Sequence, residues 1–322
     1  MPEISVLIPA YNAEKCLPRC LDSVISQSFS DLEIIVVNDA SSDSSGVIAR
    51  EYATRDRRIS VFDHPENLGV FWARKTLIEA SSGRFLMFVD SDDELSPDAC
   101  GRLHSVAVET GADIVVAGYE VVTKEGDVLR KSNELPYGDG SYGFAMAMAM
   151  DRMKRYLWGR IFRRELFFDH EIEYRLHHNA CEDQLLSFQI APFVKKVVCV
   201  PDPLYKYHET PTSLTHLMHL EKNMRAICDT HKMCVDKSSL IDRRVKERCE
   251  YNAIRDAHFW IKTGCGREKV MRIVSEHGLG HLFTFPSLVR HLGFRKAVTY
   301  FMVTRSGLVV RLVYGNNWNR IR

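Results

Sequence analysis

The sequence predicts an α/β protein built around a mostly parallel sheet that is covered by helices on both faces. Four short and largely apolar runs predict strands, at residues 4–9, 32–38, 59–62 and 85–89, and the first and the last of these strands are predicted to be buried. Segments with helical spacing lie between these runs, at 17–25 and 44–55, and a third follows the turn at 67–69 and continues to about residue 80. This β-α-β-α-β-α-β order is typical of parallel strands joined by right-handed crossovers.

The remaining elements follow in chain order. A helix near 97–109 precedes a fifth strand at 113–118, and 119–131 predicts a hairpin that turns at 125–127. The polar stretch 132–141 is a candidate lid. Short strands are expected at 195–200 and 203–208, and the pattern from 213 to 263 is helical with a break near 236–239. We therefore expect a catalytic domain over 1–210, with halves at about 1–110 and 111–210, and a mainly helical, basic region over 211–322.

Composition bounds the class of protein and its partners. The 322 residues are 45% hydrophobic and 26% charged, as expected for a soluble globular protein, and the net charge of +1 predicts no nucleic-acid partner. Nine cysteines without paired spacing favour reduced thiols in the cytoplasm. The sequence is compatible with a homo-oligomer.

Three carboxylates follow the fourth predicted strand directly, at Asp90, Asp92 and Asp93. Ligands of open α/β sheets bind outside the carboxyl ends of the strands, so a site is expected here. Clustered like charges need a cation among them, and a divalent ion with oxygen ligands is the natural candidate. The alternative interpretation is a helix cap, because Ser96-Pro97-Asp98 comes next.

The second predicted strand delivers another acid, Asp39, which is placed to contact a nucleotide or to form an Asx turn. The first strand ends in Pro9-Ala10-Tyr11-Asn12 and not in a glycine fingerprint, which argues against dinucleotide binding.

Two later segments could face a substrate. Trp158 and Arg160 belong to a run of aromatic and guanidinium side chains that suits a sugar ring and a diphosphate, or else a surface helix with buried aromatics. Glu182 and Asp183 open an amphipathic helix, where acids often only complement the helix dipole.

Taken together, these pieces resemble the family 2 glycosyltransferases, which have the GT-A fold. The matching segments are 5–12, 20–24, 34–43, 67–74 and 89–93, with weaker matches at 158–166, 182–183 and 205–208.

The resemblance implies a nucleotide-sugar donor, usually a UDP-sugar. By motif position the expected nucleotide-binding residues are Pro9, Tyr11, Asn12, Asp39, Asn67, Gly69, Arg74, Asp90 and Ser91. Asp90-Ser91-Asp92 matches the DxD motif, which holds Mn²⁺ or Mg²⁺ against the diphosphate, with Asp92 as the first choice for direct ligation and His208 as a further ligand. Glu182-Asp183 matches the ED motif, which makes Asp183 the catalytic base of an inverting transfer and gives Glu182 a supporting role.

We therefore expect a metal-dependent inverting glycosyltransferase that acts on a glycan or lipid-linked acceptor in cell-surface polysaccharide or lipopolysaccharide biosynthesis. The alternatives are a non-catalytic scaffold of a glycan-assembly complex and a sugar nucleotidyltransferase. A sugar nucleotidyltransferase requires a glycine-rich, basic loop after the first strand to bind the triphosphate, and the sequence has no such loop there.

The C-terminal stretch 283–322 mixes aromatic and basic residues, and no Asp or Glu occurs after Glu276. This pattern suits peripheral contact with an anionic membrane, which would be the inner face of the plasma membrane. The alternative is that these helices pack on the rest of the protein or on a second subunit.

Overall fold

A computed structural model describes residues 1–123, 126–134, 138–175, 180–209 and 221–305. Contacts divide the chain into two compact units, Met1–His216 and Leu217–Arg322, close to the predicted boundary at 210. Part of the candidate lid, 135–137, and the basic residues after 305 lie outside the described residues. No helix in the described ranges combines the length and apolarity needed to cross a bilayer.

The first unit is a curled sheet flanked by helices. The strands are β1 (Ile4–Ala10), β2 (Leu32–Asn38), β3 (Ile59–Asp63), β4 (Phe85–Phe88), β5 (Glu94–Leu95), β6 (Ile114–Val122), β7 (Val128–Ser132), β8 (Arg160–Arg163) and β9 (Val197–His208). The helices are α1 (Leu17–Ile25), α2 (Ser45–Arg55), α3 (Val70–Ala80), α4 (Ala99–Thr110), α5 (Gly140–Ala149), α6 (Glu165–Phe168) and α7 (Glu182–Ile190).

The predicted parallel core is confirmed. Strands run in the order β3-β2-β1-β4-β8-β6-β9-β5, with β7 paired to β6, and the first four of these strands are parallel. All four residues of β4 are buried, as expected for a strand covered on both faces. The carboxyl ends of β1, β2 and β4 therefore meet at one edge.

The second half of the sheet differs from the prediction. Residues 160–163, for which a surface helix was the alternative, form β8, which lies antiparallel between β4 and β6. The segments 195–200 and 203–208 form one strand, β9, which is parallel to β6. The register of this pair shifts on either side of Gly118, where the prolines of β9 interrupt the regular pairing. The short strand β5 was not predicted, because two residues pair only with the distant β9.

The second unit is helical, as predicted. Its helices are α8 (Glu221–Ser238), α9 (Arg243–Lys262), α10 (Arg267–Glu276), α11 (Phe285–Leu292) and α12 (Phe294–Arg305). The break between α8 and α9 falls at the predicted position, and Asp242 caps α9 by accepting a hydrogen bond from the backbone N–H of Arg244.

Gly83, which precedes β4, is packed directly against β1. A Cβ on Gly83 would lie 2.6 Å from the backbone N of Ser5 and 2.8 Å from the carbonyl carbon of Ile4. We expect Gly83→Ala to destabilise the first unit by about 1–3 kcal/mol, because backbone atoms cannot yield as a flexible side chain would. Urea unfolding followed by circular dichroism measures this.

Gly101→Ala is the matched control, since its Cβ would meet Phe29 at an ordinary 3.6 Å within α4. That change should leave stability unaltered or raise it by up to about 1 kcal/mol. Equal effects of the two changes would contradict the packing argument.

Candidate active site

The loops after β1 and β2 are bonded to each other at the edge where the parallel strands end. The backbone N–H of Asn12 donates to Ser41 Oγ (3.0 Å), and Asn12 Oδ1 accepts from the N–H of Ser42 (2.9 Å). Asn12 and Ala40 both have left-handed backbones, with φ of 50° and 54°. Such strain in non-glycine residues persists where the surroundings fix it, commonly at binding sites. Tyr11 projects from this edge and is 52% exposed.

The predicted nucleotide residues Asp39, Asn67 and Gly69 are brought together. One Asp39 oxygen accepts from the N–H of Leu68 (3.0 Å) and the other from the N–H of Gly69 (2.9 Å), while Asn67 donates to the Asp39 carbonyl (3.3 Å). His64 contacts the same carboxylate at 2.6 Å. Asp39 is 2% exposed, so the contacts seen here fix the loop before α3. Its predicted contact with a base stays a prediction.

The acidic segment after β4 is a turn and not a continuing strand. The N–H of Asp93 donates to the Asp90 carbonyl (3.0 Å), which closes this turn. Asp93 is fully buried and accepts from Tyr205 Oη (2.7 Å) and from the N–H of His208 (2.8 Å). The helix-cap interpretation is wrong for these acids, because β5 lies between them and α4.

Arg74 joins the acidic turn to the start of α7. Its guanidinium lies 3.3 Å from Asp90 Oδ1 and 3.0 Å from Glu182 Oε1, and it also pairs with Asp183 Oδ1. The Arg74 side chain is only 3% exposed. Cys181, immediately before the pair, has a left-handed φ of 59°. One buried cation therefore links three carboxylates that the sequence assigns to two separate motifs.

Burial and mutual repulsion perturb these groups strongly. Burial, with Glu182 and Asp90 adding to it, raises the pKa of Asp183 to about 7 despite the opposing charge of Arg74. Burial also raises the pKa of Asp90, and burial together with Asp90 raises that of Asp92 to about 6. Asp183 Oδ2 also accepts from the N–H of Leu157 (3.4 Å). A carboxylate with a pKa near 7 suits a general base at neutral pH.

The residues present fit a divalent cation in part. In the part of the chain that the structure describes, no ion pair engages the Asp92 carboxylate. Its own backbone N–H and the charge of Arg19 favour the ionised form, and its oxygens remain able to ligate beside Asp90. In the described ranges no three His, Cys, Asp or Glu side chains form a closed metal site. A pair of carboxylates is nevertheless what Mg²⁺ uses when substrate phosphates supply the other ligands.

His208, the further predicted ligand, is held by Glu94. Its Nε2 lies 2.6 Å from Glu94 Oε1, and burial lowers its pKa, which favours the neutral ring. Its role as a metal ligand stays a prediction.

Trp158 and Arg160 lie inside the fold. Trp158 is 5% exposed and stacks between Tyr156 (4.4 Å between ring centroids) and Tyr205 (4.5 Å). Arg160 is 2% exposed and donates to the Lys154 carbonyl. These contacts position the strand beside the site, and the expected contact of either residue with a diphosphate or acceptor stays a prediction.

Sequence reasoning missed three residues that support the site. Arg19 donates to the Asp92 carbonyl (2.7 Å), Tyr205 Oη accepts from the N–H of Asp90 (3.2 Å), and His64 holds Asp39. Tyr205 lay inside a matched segment, but nothing in the spacing connected it to an acid 115 positions earlier.

Comparison with known proteins places this geometry in a family. The model described as "Glycosyl transferase family 2" matches residues 5–180, more than half of the chain. The chain belongs to glycosyltransferase family 2. The uncharacterized glycosyltransferase EpsJ of Bacillus subtilis (strain 168) is 32% identical over 247 residues, which are 70% of this glycosyltransferase and 69% of EpsJ.

Two further proteins bear on the fold and the wider family. This glycosyltransferase is 28% identical to the poly(ribitol-phosphate) beta-glucosyltransferase of Bacillus spizizenii over 212 residues, which are 64% of this chain and 32% of that protein. The structure of S. aureus TarS 1-349 with UDP-GlcNAc superposes with a TM-score of 0.61 at 18% identity, covering 95% of this chain and 92% of that one. The predicted GT-A fold is thereby confirmed.

Replacing Arg74 tests the buried charge cluster. We expect Arg74→Met to lose about 3–5 kcal/mol of stability at pH 8, because three carboxylates lose their cation. Without Arg74 the folded-state pKa values of Asp90 and Asp183 rise further above their unfolded values, so the deficit should shrink as pH falls toward 5 and these two acids become protonated. Urea unfolding at both pH values measures it.

Arg55→Met is the control, because the Arg55 side chain is 69% exposed and lies 3.9 Å from Glu51. It should change stability by less than about 0.5 kcal/mol at either pH. A deficit for Arg74→Met that is the same at pH 5 and pH 8 would show that the carboxylates do not depend on Arg74.

Proposed function

We propose that this glycosyltransferase moves a sugar from a UDP-sugar to a hydroxyl group of a cell-surface glycan or its lipid-linked precursor, with inversion at the anomeric carbon. The observation that carries the proposal is the Arg74 cluster, in which Asp90 of the DxD motif and the Glu182-Asp183 pair share one guanidinium. Asp90, which is suited to the diphosphate end of the donor, and Asp183, the candidate base, thus contact the same guanidinium.

Asp183 would act as the base. In a single displacement the acceptor oxygen bonds to the anomeric carbon, its proton passes to the Asp183 carboxylate, and the carbon–oxygen bond to the diphosphate breaks with its electron pair on the nucleotide. The raised pKa of Asp183 makes it a stronger proton acceptor than an exposed aspartate. Glu182 and Arg74 would position it, since both are in the same cluster.

Asp92 and Asp90 would hold Mn²⁺ or Mg²⁺. When bound, such an ion supplies positive charge that stabilises the departing nucleoside diphosphate. Asp92 is suited to direct ligation because burial and the charge of Asp90 raise the pKa of its carboxylate, and no cationic side chain of the described residues forms an ion pair with it. Asp90 shares one oxygen with Arg74, which leaves its other oxygen for the ion.

The donor and acceptor classes are supported by the relatives. TarS has the same fold and was crystallised with UDP-GlcNAc, and the exposed ring of Tyr11 lies at the sheet edge where a base could stack. The relative named poly(ribitol-phosphate) beta-glucosyltransferase supports a polymer as acceptor. The loop after β1 is bonded through Asn12 to the loop after β2 and lacks the glycines that a triphosphate cradle needs, which weighs against a nucleotidyltransferase.

Asp183→Asn tests the base. We expect turnover to fall by about 10²–10⁴-fold, because the amide cannot accept the acceptor's proton. In the parent protein, turnover should fall about tenfold per pH unit below a pKa of about 7, as Asp183 becomes protonated. Release of UDP in the presence of a panel of acceptors, measured from pH 5 to 9, gives both results.

Asp169→Asn, at an exposed acid in the same unit, is the control and should retain the parent's rate and pH profile. Thermal stabilisation by UDP with Mn²⁺ should be unchanged in Asp183→Asn, which separates loss of chemistry from loss of donor binding. Full turnover in Asp183→Asn would refute the base assignment.

Asp92→Asn tests the metal site through stability alone. The pKa of Asp92 is raised from 3.8 to about 6 in the fold, so this group costs stability as pH rises through that range. At pH 8 without metal, we expect Asp92→Asn to be more stable than the parent by about 1–3 kcal/mol. Addition of Mn²⁺ with UDP should raise the parent's melting temperature and leave that of Asp92→Asn nearly unchanged.

Asp98→Asn, at an exposed acid beyond the turn, is the matched control and should keep the full response to Mn²⁺ with UDP. An equal response of Asp92→Asn and the parent would remove Asp92 as a ligand. Loss of turnover on chelation with EDTA, and its return with Mn²⁺, is the corresponding activity measurement.

A further inference from the structure

The turn between α11 and α12 carries an exposed surface that the second unit's packing does not explain. We call it the basic corner and define it by Arg290, Phe294, Arg295, Lys296 and Val298. Phe294 is 65% exposed and Val298 is 40% exposed, and the three cationic residues are exposed as well. Phe294 and Val298 are four residues apart in α12, so they lie on the same face of that helix.

The cations of the basic corner are uncompensated. Within the described ranges, Arg290, Arg295 and Lys296 have no ion pair, and the sequence from 277 to 322 contains no Asp or Glu. Other cations of the same unit do have partners: the half-buried Arg225 lies 2.7 Å from Glu276, and the exposed Arg243 lies 2.9 Å from Glu247. The corner is therefore a positive patch with exposed apolar side chains inside it.

The described part of the predicted aromatic and basic tail contains both buried and exposed apolar residues. Phe283 and Leu288 are buried, so that part of the tail packs on its own unit, as the alternative interpretation had it. Phe294 meets Phe285 edge-on at 5.9 Å between centroids and keeps its outer face exposed. Among the described residues of this segment, the corner keeps the amphipathic character that the sequence suggested for all of it.

A hollow of about 370 Å³ opens beside the corner. It is lined by Tyr251, Leu292, Arg295, Lys296, Thr299 and Tyr300. Two cations with aromatic and hydroxyl side chains match a phosphate group that continues into an apolar chain.

We propose that the basic corner is a docking surface for an anionic phospholipid bilayer, with Phe294 and Val298 at the level of the headgroups and Arg290, Arg295 and Lys296 against the lipid phosphates. The pairing of a small apolar anchor with uncompensated cations favours this occupant. A second copy of the chain fits less well, because two identical positive patches facing each other would repel. Two exposed apolar side chains are also far less than the roughly 800 Å² per partner that a stable interface buries.

The expected affinity follows from the charges. Each cation near an anionic surface contributes about fivefold to binding at physiological salt, so the three together contribute on the order of a hundredfold. Vesicle flotation of the full chain, comparing phosphatidylcholine vesicles with vesicles that contain 30% phosphatidylglycerol, measures this. We expect binding to the anionic vesicles alone, and a steep fall when salt is raised to 0.5 M.

Two variants separate the contributions. Arg290→Gln/Arg295→Gln/Lys296→Gln should lose about a hundredfold in binding, and Phe294→Ser should bind severalfold more weakly while keeping the same dependence on salt. The charge-matched control is Arg55→Gln/Arg57→Gln/Lys195→Gln, which removes three exposed cations from the first unit and should bind as the parent does. Circular dichroism confirms that each variant is folded.

Several results would overturn the proposal. These are parent-like binding by the corner triple variant, equal loss of binding in the charge-matched control, and binding to vesicles without anionic lipid. Self-association that depends on Phe294, seen by light scattering without any vesicle binding, would instead assign the corner to a second copy. Turnover on a soluble acceptor should be unaffected by the corner variants, so this test is independent of the proposed transfer reaction.

Discussion

The first unit depends on one buried guanidinium. Arg74 extends from α3 to Asp90 after β4 and to Glu182 and Asp183 at the start of α7, so it connects the halves of the unit at the point where the chemistry is proposed. A buried cation among carboxylates costs desolvation, and this cost is offset only when each partner is well placed. Three carboxylates share one positive charge, so the centre keeps excess negative charge when they are ionised. That excess adds to the effect of burial in raising the pKa values of Asp92 and Asp183, and it makes the neighbouring Asp92 suitable for a metal ion.

The parallel core and the motif positions could be predicted because local patterns encode them. Unbroken apolar runs mark strands covered on both faces, and β1, β2 and β4 follow this rule, whereas β3 lies at the edge of the sheet and is mostly exposed. The turn residues after those strands then lie at the shared carboxyl edge, where Asp39 was expected, and the resemblance to family 2 added Asn67 and Gly69 to the predicted nucleotide-binding residues. Membership of family 2 adds weight to these positions, since the matched region 5–180 contains all of them.

What the sequence could not provide is pairing over long separations. The four residues of β8 have no strand signal of their own and are a strand only because β4 and β6 lie on either side. β5 exists only through Leu95 and its neighbour pairing with β9. Similarly, the spacing of Arg74 gave no indication that its side chain would reach α7, because the two are 108 positions apart. The sequence supplied the residues of the site, and the fold determined which of them share a charge.

The insertion of β8 between β4 and β6 has a consequence for synthesis of the chain on the ribosome. Strands β1 to β4 are complete once residue 88 has emerged, yet the strand that covers the outer edge of β4 begins only at Arg160. During that interval an apolar strand, Phe85–Phe88, has unpaired backbone groups along one side, which is the condition under which nascent sheets associate with one another. Chains that are halted or cleaved within this interval should therefore be the most prone to aggregate.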